Sequence, residues 1–318
     1  MTADGMAAGR ASAGRASAGR ACPGCGSRSR SPFAAENIDR SRVTAFTYAS
    51  RKAPEYMCLE LVCCEDCDLV YAPYPPDPDF LSTSYAEAAY DSSEEARCAA
   101  DSYIRALRPR LRALPSRHAA VDVGAGSGPL LPLLRQAGFS AVVGIEPSRA
   151  AIEAAADEVR PMLREGMFTP QMLEGLEPTL ICSFMTLEHL DEPGEFARTA
   201  HALLAPGGMV AVVVHNRRGL LNRLMGMKSP IIDVEHLQLF SPASITALLK
   251  NAGFTEIQVS PIWNSYPLRY WLRLAPLPAP LRKALLWFAQ KSGLAGLKIA
   301  APVGNMLATA RKRSMESA

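Results

Sequence analysis

Val121-Asp122-Val123-Gly124-Ala125-Gly126-Ser127-Gly128 is the stretch on which the reading of this chain turns. A short apolar run, Ala119 to Val123, leads into it and reads as a buried strand, and residues 128–137 beyond it read as a helix. Glycines let a backbone turn sharply and approach a ligand closely. In open α/β sheets ligands bind beyond the carboxyl ends of the strands, so a nucleotide-like ligand is expected here. The spacing excludes two alternatives. A dinucleotide fingerprint wants Gly-x-Gly-x-x-Gly, whereas the third glycine comes one residue early and Pro129 stands where that fingerprint has Gly. A phosphate loop would need Gly-Lys-Ser or Gly-Lys-Thr, which is absent.

Outward from this turn, strands and helices alternate. Strands are expected at Ser140 to Ile145, Thr179 to Phe184, Met209 to Val214, Thr255 to Ile262 and Asn305 to Ala310. Helices are expected over 100–114, from Ser148 to about Glu158, from Glu195 to Leu204 and from Ser241 to Ala252. That order implies an α/β fold with a mostly parallel sheet. The second strand ends in Gly144-Ile145-Glu146-Pro147, so Glu146 sits at the tip next to the glycine-rich turn. A carboxylate there can accept hydrogen bonds from both hydroxyls of a ribose.

These residues resemble the class I S-adenosylmethionine-dependent methyltransferases, whose members carry an acid before a Gly-x-Gly-x-Gly turn and a ribose-binding acid on the next strand. Phe184-Met185-Thr186-Leu187-Glu188-His189-Leu190 is similar to the family's fourth-strand motif, and Leu204-Ala205-Pro206-Gly207-Gly208 to its approach to the fifth strand. Val214-His215-Asn216, Glu235-His236-Leu237-Gln238-Leu239-Phe240-Ser241 and Gly304-Asn305-Met306-Leu307 resemble the small-molecule, ubiquinone-type branch. The resemblance runs from about 100 to 312. It implies a Rossmann-like, seven-stranded methyltransferase sheet that binds S-adenosyl-L-methionine through Asp122, Gly124, Ala125, Gly126, Gly128, Glu146 and Met185. Two positions depart from the pattern. Pro178-Thr179 replaces the usual Asp at the start of the fourth strand, and Met167-Phe168 lies where a polar adenine contact is usual.

Methyl transfer is an in-line displacement, so the protein must chiefly align donor and acceptor. A hydroxyl or acidic C–H acceptor also needs a base. His189, His236 and Glu188 are the candidates, Glu188 alternatively holding the donor's methionine end; His215 reads more readily as structural.

Six of the eight cysteines fall within residues 22–67. Cys22-Pro23-Gly24-Cys25 and Cys64-Glu65-Asp66-Cys67 form two Cys-x-x-Cys knuckles, a pattern that supplies four thiolates to a tetrahedral zinc ion. A redox pair fits less well, because neither knuckle opens a helix after a strand. The module resembles the N-terminal zinc-binding domain of some sugar C-methyltransferases. A structural, zinc-ribbon-like site is expected, with no part in the chemistry because four thiolates leave no open position. Cys98 and Cys182 are expected in the core.

The expected organisation is a disordered tail over 1–20, where Ala-Ser-Ala-Gly-Arg repeats at 11–15 and 16–20, a zinc-binding module over 21–75, a connector over 76–99 and a methyltransferase domain over 100–312. Residues 264–303 interrupt the domain before its last strand as two amphipathic helices separated by Pro276, Pro278 and Pro280. Such a helical insertion serves as a lid, a homodimer face or, through Trp and Tyr among Arg and Lys, a peripheral contact with a membrane or lipid-linked substrate.

Composition narrows the partners. Apolar residues make up 48% of the 318 and charged residues 20%, enough for a sizeable core. No run approaches a bilayer span and no signal-like apolar segment opens the chain, so a cytoplasmic protein is expected. The net charge of +3 divides into about +4 over 1–30, +8 over 264–318 and −9 between. An acidic middle disfavours nucleic acid and suits a cationic donor. The expected function is therefore methylation of oxygen or carbon on a small molecule: a sugar, a sugar-linked lipid or a secondary metabolite. An RNA methyltransferase and an inactive methyltransferase-like scaffold are the alternatives.

Overall fold

A computed structural model describes residues 19–42, 56–87, 93–275 and 277–314. The expected tail therefore lies outside the described residues up to position 18, as does Pro276.

The N-terminal part holds three short strands, β1 (Arg30–Ala34), β2 (Leu61–Cys64) and β3 (Val70–Tyr71), followed by α1 (Pro78–Glu87) and α2 (Ser93–Leu111). The central part alternates as the apolar pattern dictates: β4 (Ala119–Val123), α3 (Leu131–Gln136), β5 (Ala141–Glu146), α4 (Arg149–Glu153), β6 (Leu163–Glu165), β7 (Pro178–Phe184), α5 (Pro193–Leu203) and β8 (Met209–His215). After β8 come α6 (Leu220–Met225), β9 (Gln238–Leu239), α7 (Pro242–Asn251) and β10 (Thr255–Pro261). The chain ends with β11 (Asn264–Pro267), α8 (Leu268–Leu274), α9 (Ala279–Lys291), β12 (Lys298–Ala301) and β13 (Asn305–Arg311).

Seven strands make the main sheet in the order β10-β13-β8-β7-β4-β5-β6. β6, β5, β4, β7 and β8 are parallel, and β13 runs antiparallel between β8 and β10. The parallel strands are near-continuous runs of Val, Ile, Leu and Ala because both faces are covered. On one face Leu107 and Leu111 of α2 and Leu131 and Leu134 of α3 are fully buried against Leu180, Cys182 and Ala211. Each contributes roughly 1.5–3 kcal/mol by burial. On the other, Phe196 and Ala200 of α5 and Leu248 of α7 pack on Ile181, Val210 and Val212, and the cysteine-rich region extends that cluster through Cys22, Leu69 and Tyr71.

The topology sets one sheet edge apart. Val123, Glu146, Phe184 and His215 all end parallel strands there, and Asn305 begins β13 beside His215. The insertion leaves the sheet at the same edge, between Pro261 and Asn305.

The structure differs from the sequence pattern at four places. α2 starts at Ser93, with Glu94 and Glu95 favouring its positive N-terminal end. α4 stops at Glu153, where the Arg160 guanidinium takes the carbonyls of Glu153 and Ala155 (3.2 and 3.0 Å). The insertion carries its two expected helices on an unexpected two-stranded base, β11 paired with β12 from Asn264–Ala301 to Pro267–Lys298. β9 joins β1, β2 and β3 in a second sheet of order β1-β2-β3-β9, so the cysteine-rich region borrows a strand from a segment more than 160 residues away.

Candidate functional site

The glycine-rich turn leaves β4 with Gly124, Gly126 and Gly128 all at positive φ (75°, 56° and 71°). A side chain at Gly124 would also stand 2.4 Å from the Thr186 hydroxyl, so only glycine fits there. The turn is fastened to the tip of β5: the N–H groups of Gly124 and Ala125 donate to the Ile145 carbonyl at 2.9 and 3.1 Å. Glu146 completes the fastening, its two carboxylate oxygens accepting from the N–H groups of Gly126 (2.7 Å) and Ser148 (2.8 Å). Each oxygen keeps a second lone pair for a ligand hydroxyl. Burial pushes the Glu146 carboxyl upward and the two N–H groups hold it down. Asp122, buried on β4, is pushed up to about 8 by burial and then by the Glu146 charge. A buried acidic pair facing a tight turn is an environment that a cation relieves, so the residues fit a positively charged, ribose-bearing ligand.

β7 closes this pocket from the other side. Met185 takes a positive φ of 57° just past the strand, its N–H donating to the Val213 carbonyl at 2.7 Å. A non-glycine residue held there is strained, and such strain concentrates at ligand sites. Met185 and Thr186 thus stand at the turn with Asp122, Gly124, Ala125, Gly126 and Glu146. Gly128 acts differently: a side chain there would meet Val159 at 2.6 Å, so it serves helix packing.

Beyond Thr186 the chain delivers Glu188 and His189, and two distant segments add His215 and His236. The His189 and His236 rings lie 4.8 Å apart, and those of His215 and His236 5.4 Å. Each ring is oriented through Nδ1: His189 on the Glu235 carbonyl (3.0 Å), His236 on the Ile231 carbonyl (2.9 Å) and His215 on the Asn305 side-chain oxygen (2.9 Å). A carbonyl only accepts, so Nδ1 carries the proton and Nε2 is the lone-pair nitrogen. Burial drives His189 and His215 down to about 4 and His236 further, so all three are neutral at pH 7. Glu188 is fully buried; Oε1 accepts from the His215 N–H at 2.7 Å and Oε2 has no partner among the described residues. Burial raises its carboxyl to about 7.

The structure thus brings His189, His236 and Glu188 together and adds His215, Asn305 and Asn264, whose side-chain oxygen accepts from Asn305 at 3.3 Å. His215 carried a signal in the sequence, a histidine ending a strand, without anything local to separate a site residue from a packed one. Asn305 reaches the cluster because β13 runs antiparallel to β8, and Asn264, at the start of β11, joins it through its bond with Asn305.

The four knuckle cysteines form a second site. The sulfur atoms of Cys22, Cys25, Cys64 and Cys67 lie within 4.8 Å of one another, the Cys22–Cys67 and Cys25–Cys64 pairs at 3.5 Å, and all four are free thiols. Four thiolates around zinc stand about 3.8 Å apart, from Zn–S bonds of about 2.3 Å, so the donors fit one tetrahedral ion. Hydrogen bonding to Cys67 pulls the Cys22 thiol down while the same contact pushes Cys67 up, the unequal proton sharing of thiols crowded together. Cys182 packs inside the core, as expected; Cys98 is also buried.

The family described as a methyltransferase domain matches residues 94–259, just over half of the chain. The ubiquinone biosynthesis O-methyltransferases of Caulobacter sp. (strain K31) and Caulobacter vibrioides are each 35% identical over 103 residues, 30% of this chain and 40% of theirs. The match thus spans less than half the length of these relatives. Among solved structures, a SAM-dependent methyltransferase from Thermotoga maritima is 19% identical (TM-score 0.44; 69% of this chain and 91% of that one). Another, from Archaeoglobus fulgidus, is 14% identical (TM-score 0.46; 67% and 94%). With a matched family over residues 94–259, this chain belongs to the methyltransferase domain family.

Proposed function

We propose that the enzyme methylates a hydroxyl oxygen or an acidic carbon of a small molecule, with a base drawn from the buried cluster at the β7 and β8 tips. The observation that carries this reading is Glu188. Its Oε2, without a partner among the described residues, and its near-neutral carboxyl sit just past β7, beside the donor turn. A general base works best with a pKa near the working pH. His189, and His236 with its Nε2 facing the Glu235 carboxylate at 3.7 Å, are the second choice, since burial makes them weak bases.

Bound S-adenosylmethionine supplies an electrophilic methyl carbon on a sulfonium. Glu146 would hold its ribose hydroxyls. Gly124, Ala125 and Gly126 would let the backbone approach it, and Asp122 and Met185 would shape the pocket. The buried acids favour its positive charge, and the apolar strand tips exclude water from the transfer. Zinc held by Cys22, Cys25, Cys64 and Cys67 would be structural.

The 103 residues shared with ubiquinone biosynthesis O-methyltransferases favour an oxygen acceptor. Residues 264–303 would cover it as a lid. Their six Lys and Arg without an acid, and exposed Trp287 and Phe288, support contact with a lipid-linked acceptor or a membrane surface. We keep the division into a metal module over 21–75, a connector over 76–99 and a catalytic domain over 100–312, in a cytoplasmic protein. Among the described residues no helix is long and apolar enough to cross a membrane.

The test is label transfer from methyl-labelled S-adenosylmethionine to fractionated cell extract, beside Glu146→Ala. Label in polar metabolites or lipid, lost in the variant, is the expected result. Label in RNA would turn the reading to RNA. Absence of donor binding would leave the scaffold.

A further inference from the structure

We propose that the cysteine-rich region, when it holds its metal ion, is a brace that sets the positions of Glu188 and the three histidines while leaving the donor turn independent. The inference rests on the reading of that cluster as the acceptor side. Three separate fastenings carry it: two start within two residues of a knuckle cysteine and the third from the strand that follows Cys67, and each ends within three positions of a different histidine.

Arg20, two residues before Cys22, donates from Nη1 to the Asp191 carboxylate (2.9 Å) and carbonyl (2.6 Å), two residues after His189. Its Nε holds the Ala72 carbonyl at 2.8 Å. Asp68, the residue after Cys67, sits at a φ of 65° and pairs with Arg217 and Arg218, two and three residues after His215. The Arg217 guanidinium, almost fully buried, also takes the Asp68 carbonyl (3.1 and 2.9 Å). Third, β3 pairs with β9 directly after His236: Ala72 N–H donates to the Leu237 carbonyl at 2.9 Å, and Val70 and Tyr71 face Leu239 and Gln238.

Gln238 then carries the constraint inward. Fully buried on β9, its amide donates to the carbonyls of Leu187 and Leu190, both at 2.6 Å, so it brackets Glu188 and His189. Leu237 N–H adds a bond to the Glu188 carbonyl at 2.8 Å. By contrast, the N–H groups of Gly124, Ala125 and Gly126 in the donor turn are held by Ile145 and Glu146 of β5, and Thr186, just past β7, donates to the Val123 carbonyl. Arg20, Asp68 and Gln238 are therefore positioning residues, and the four thiols fix the chain from which two of them project.

The test compares the full chain loaded with zinc, the same chain after chelation, and zinc-loaded Arg20→Met with Asp68→Asn. Three readouts are used: affinity for S-adenosylhomocysteine by calorimetry, hydrogen exchange by segment, and imidazole resonances of the five histidines. The expected result is donor-analogue affinity within about twofold throughout. Exchange at 186–191, 213–218 and 235–240 rises at least tenfold on chelation and partly in the double variant. The resonances of His189, His215 and His236 move, while those of His118 and His201, which the brace does not touch, stay. Unchanged exchange and resonances would overturn the proposal. So would loss of donor binding together with all five resonances on chelation, which would make the metal a staple for the whole fold. A zinc-loaded protein that binds no donor analogue counts against the proposed function alone, since exchange and resonances are read without donor.

Discussion

Glu188 shows how burial makes a reactive group from an ordinary one. Burial raises its carboxyl to about 7, against the pull of the backbone N–H groups of His215 and of Glu188 itself. Glu188→Gln should lower turnover about 10²–10⁴-fold and remove the rising limb near pH 7 from the rate profile, with donor affinity unchanged in calorimetry. Asp122 gives a stability prediction. Its folded pKa of about 8 lies above its unfolded value, so the folded state binds the extra proton. The stabilising effect of that proton is present at pH 4 and lost as pH rises toward 8. Asp122→Asn should therefore gain on the wild type as pH rises across that window, in paired thermal melts without donor. His189 and His215 act in the opposite sense: with folded values near 4, their contribution is present above about 6.5 and lost as pH falls to 4.

The elements show what local chemistry reaches and where it stops. The β4 turn is legible because three glycines must adopt positive φ within five residues. Gly124→Ala should cost about 1–3 kcal/mol from backbone strain and the Thr186 clash, seen as a lower melting temperature and weaker donor binding. α8 and α9 are legible from their apolar spacing between prolines. The β11–β12 base beneath them is not, since four-residue strands without alternation carry no signal and their pairing joins residues over 30 positions apart. α9 presents Trp287 at 61% and Phe288 at 59% exposure on a segment that carries only positive charge. Flotation with anionic vesicles should retain the full chain, less so at high salt, and Trp287→Ala with Phe288→Ala should weaken retention. Equal retention of the double variant would remove the membrane contact and leave the lid.

At the scale of the molecule, two sites share one sheet edge and differ in how the chain assembles them. The proposed donor side is built from consecutive strand ends, Asp122 to Gly128, Glu146 and Met185. Each is a strand tip in a βαβ series, and right-handed parallel connections leave those tips on one edge. The sequence by itself therefore determined the alternating sheet, the glycine-rich turn with its two acids and the paired knuckles, all of them short-range patterns. The sequence offered His189, His236 and Glu188 as separate candidates, and only the tertiary structure gathered them into the proposed acceptor side and added His215 and Asn305. His189, His215 and His236 come from three separate segments. Asn305 meets His215 only through an antiparallel last strand, and β9 leaves the catalytic segment to pair with β3. The physical reason is that hydrophobic periodicity and turn chemistry act over a few residues. A two-residue strand pairing across more than 160 positions, or a histidine neutralised by burial, depends on neighbours that no local window contains.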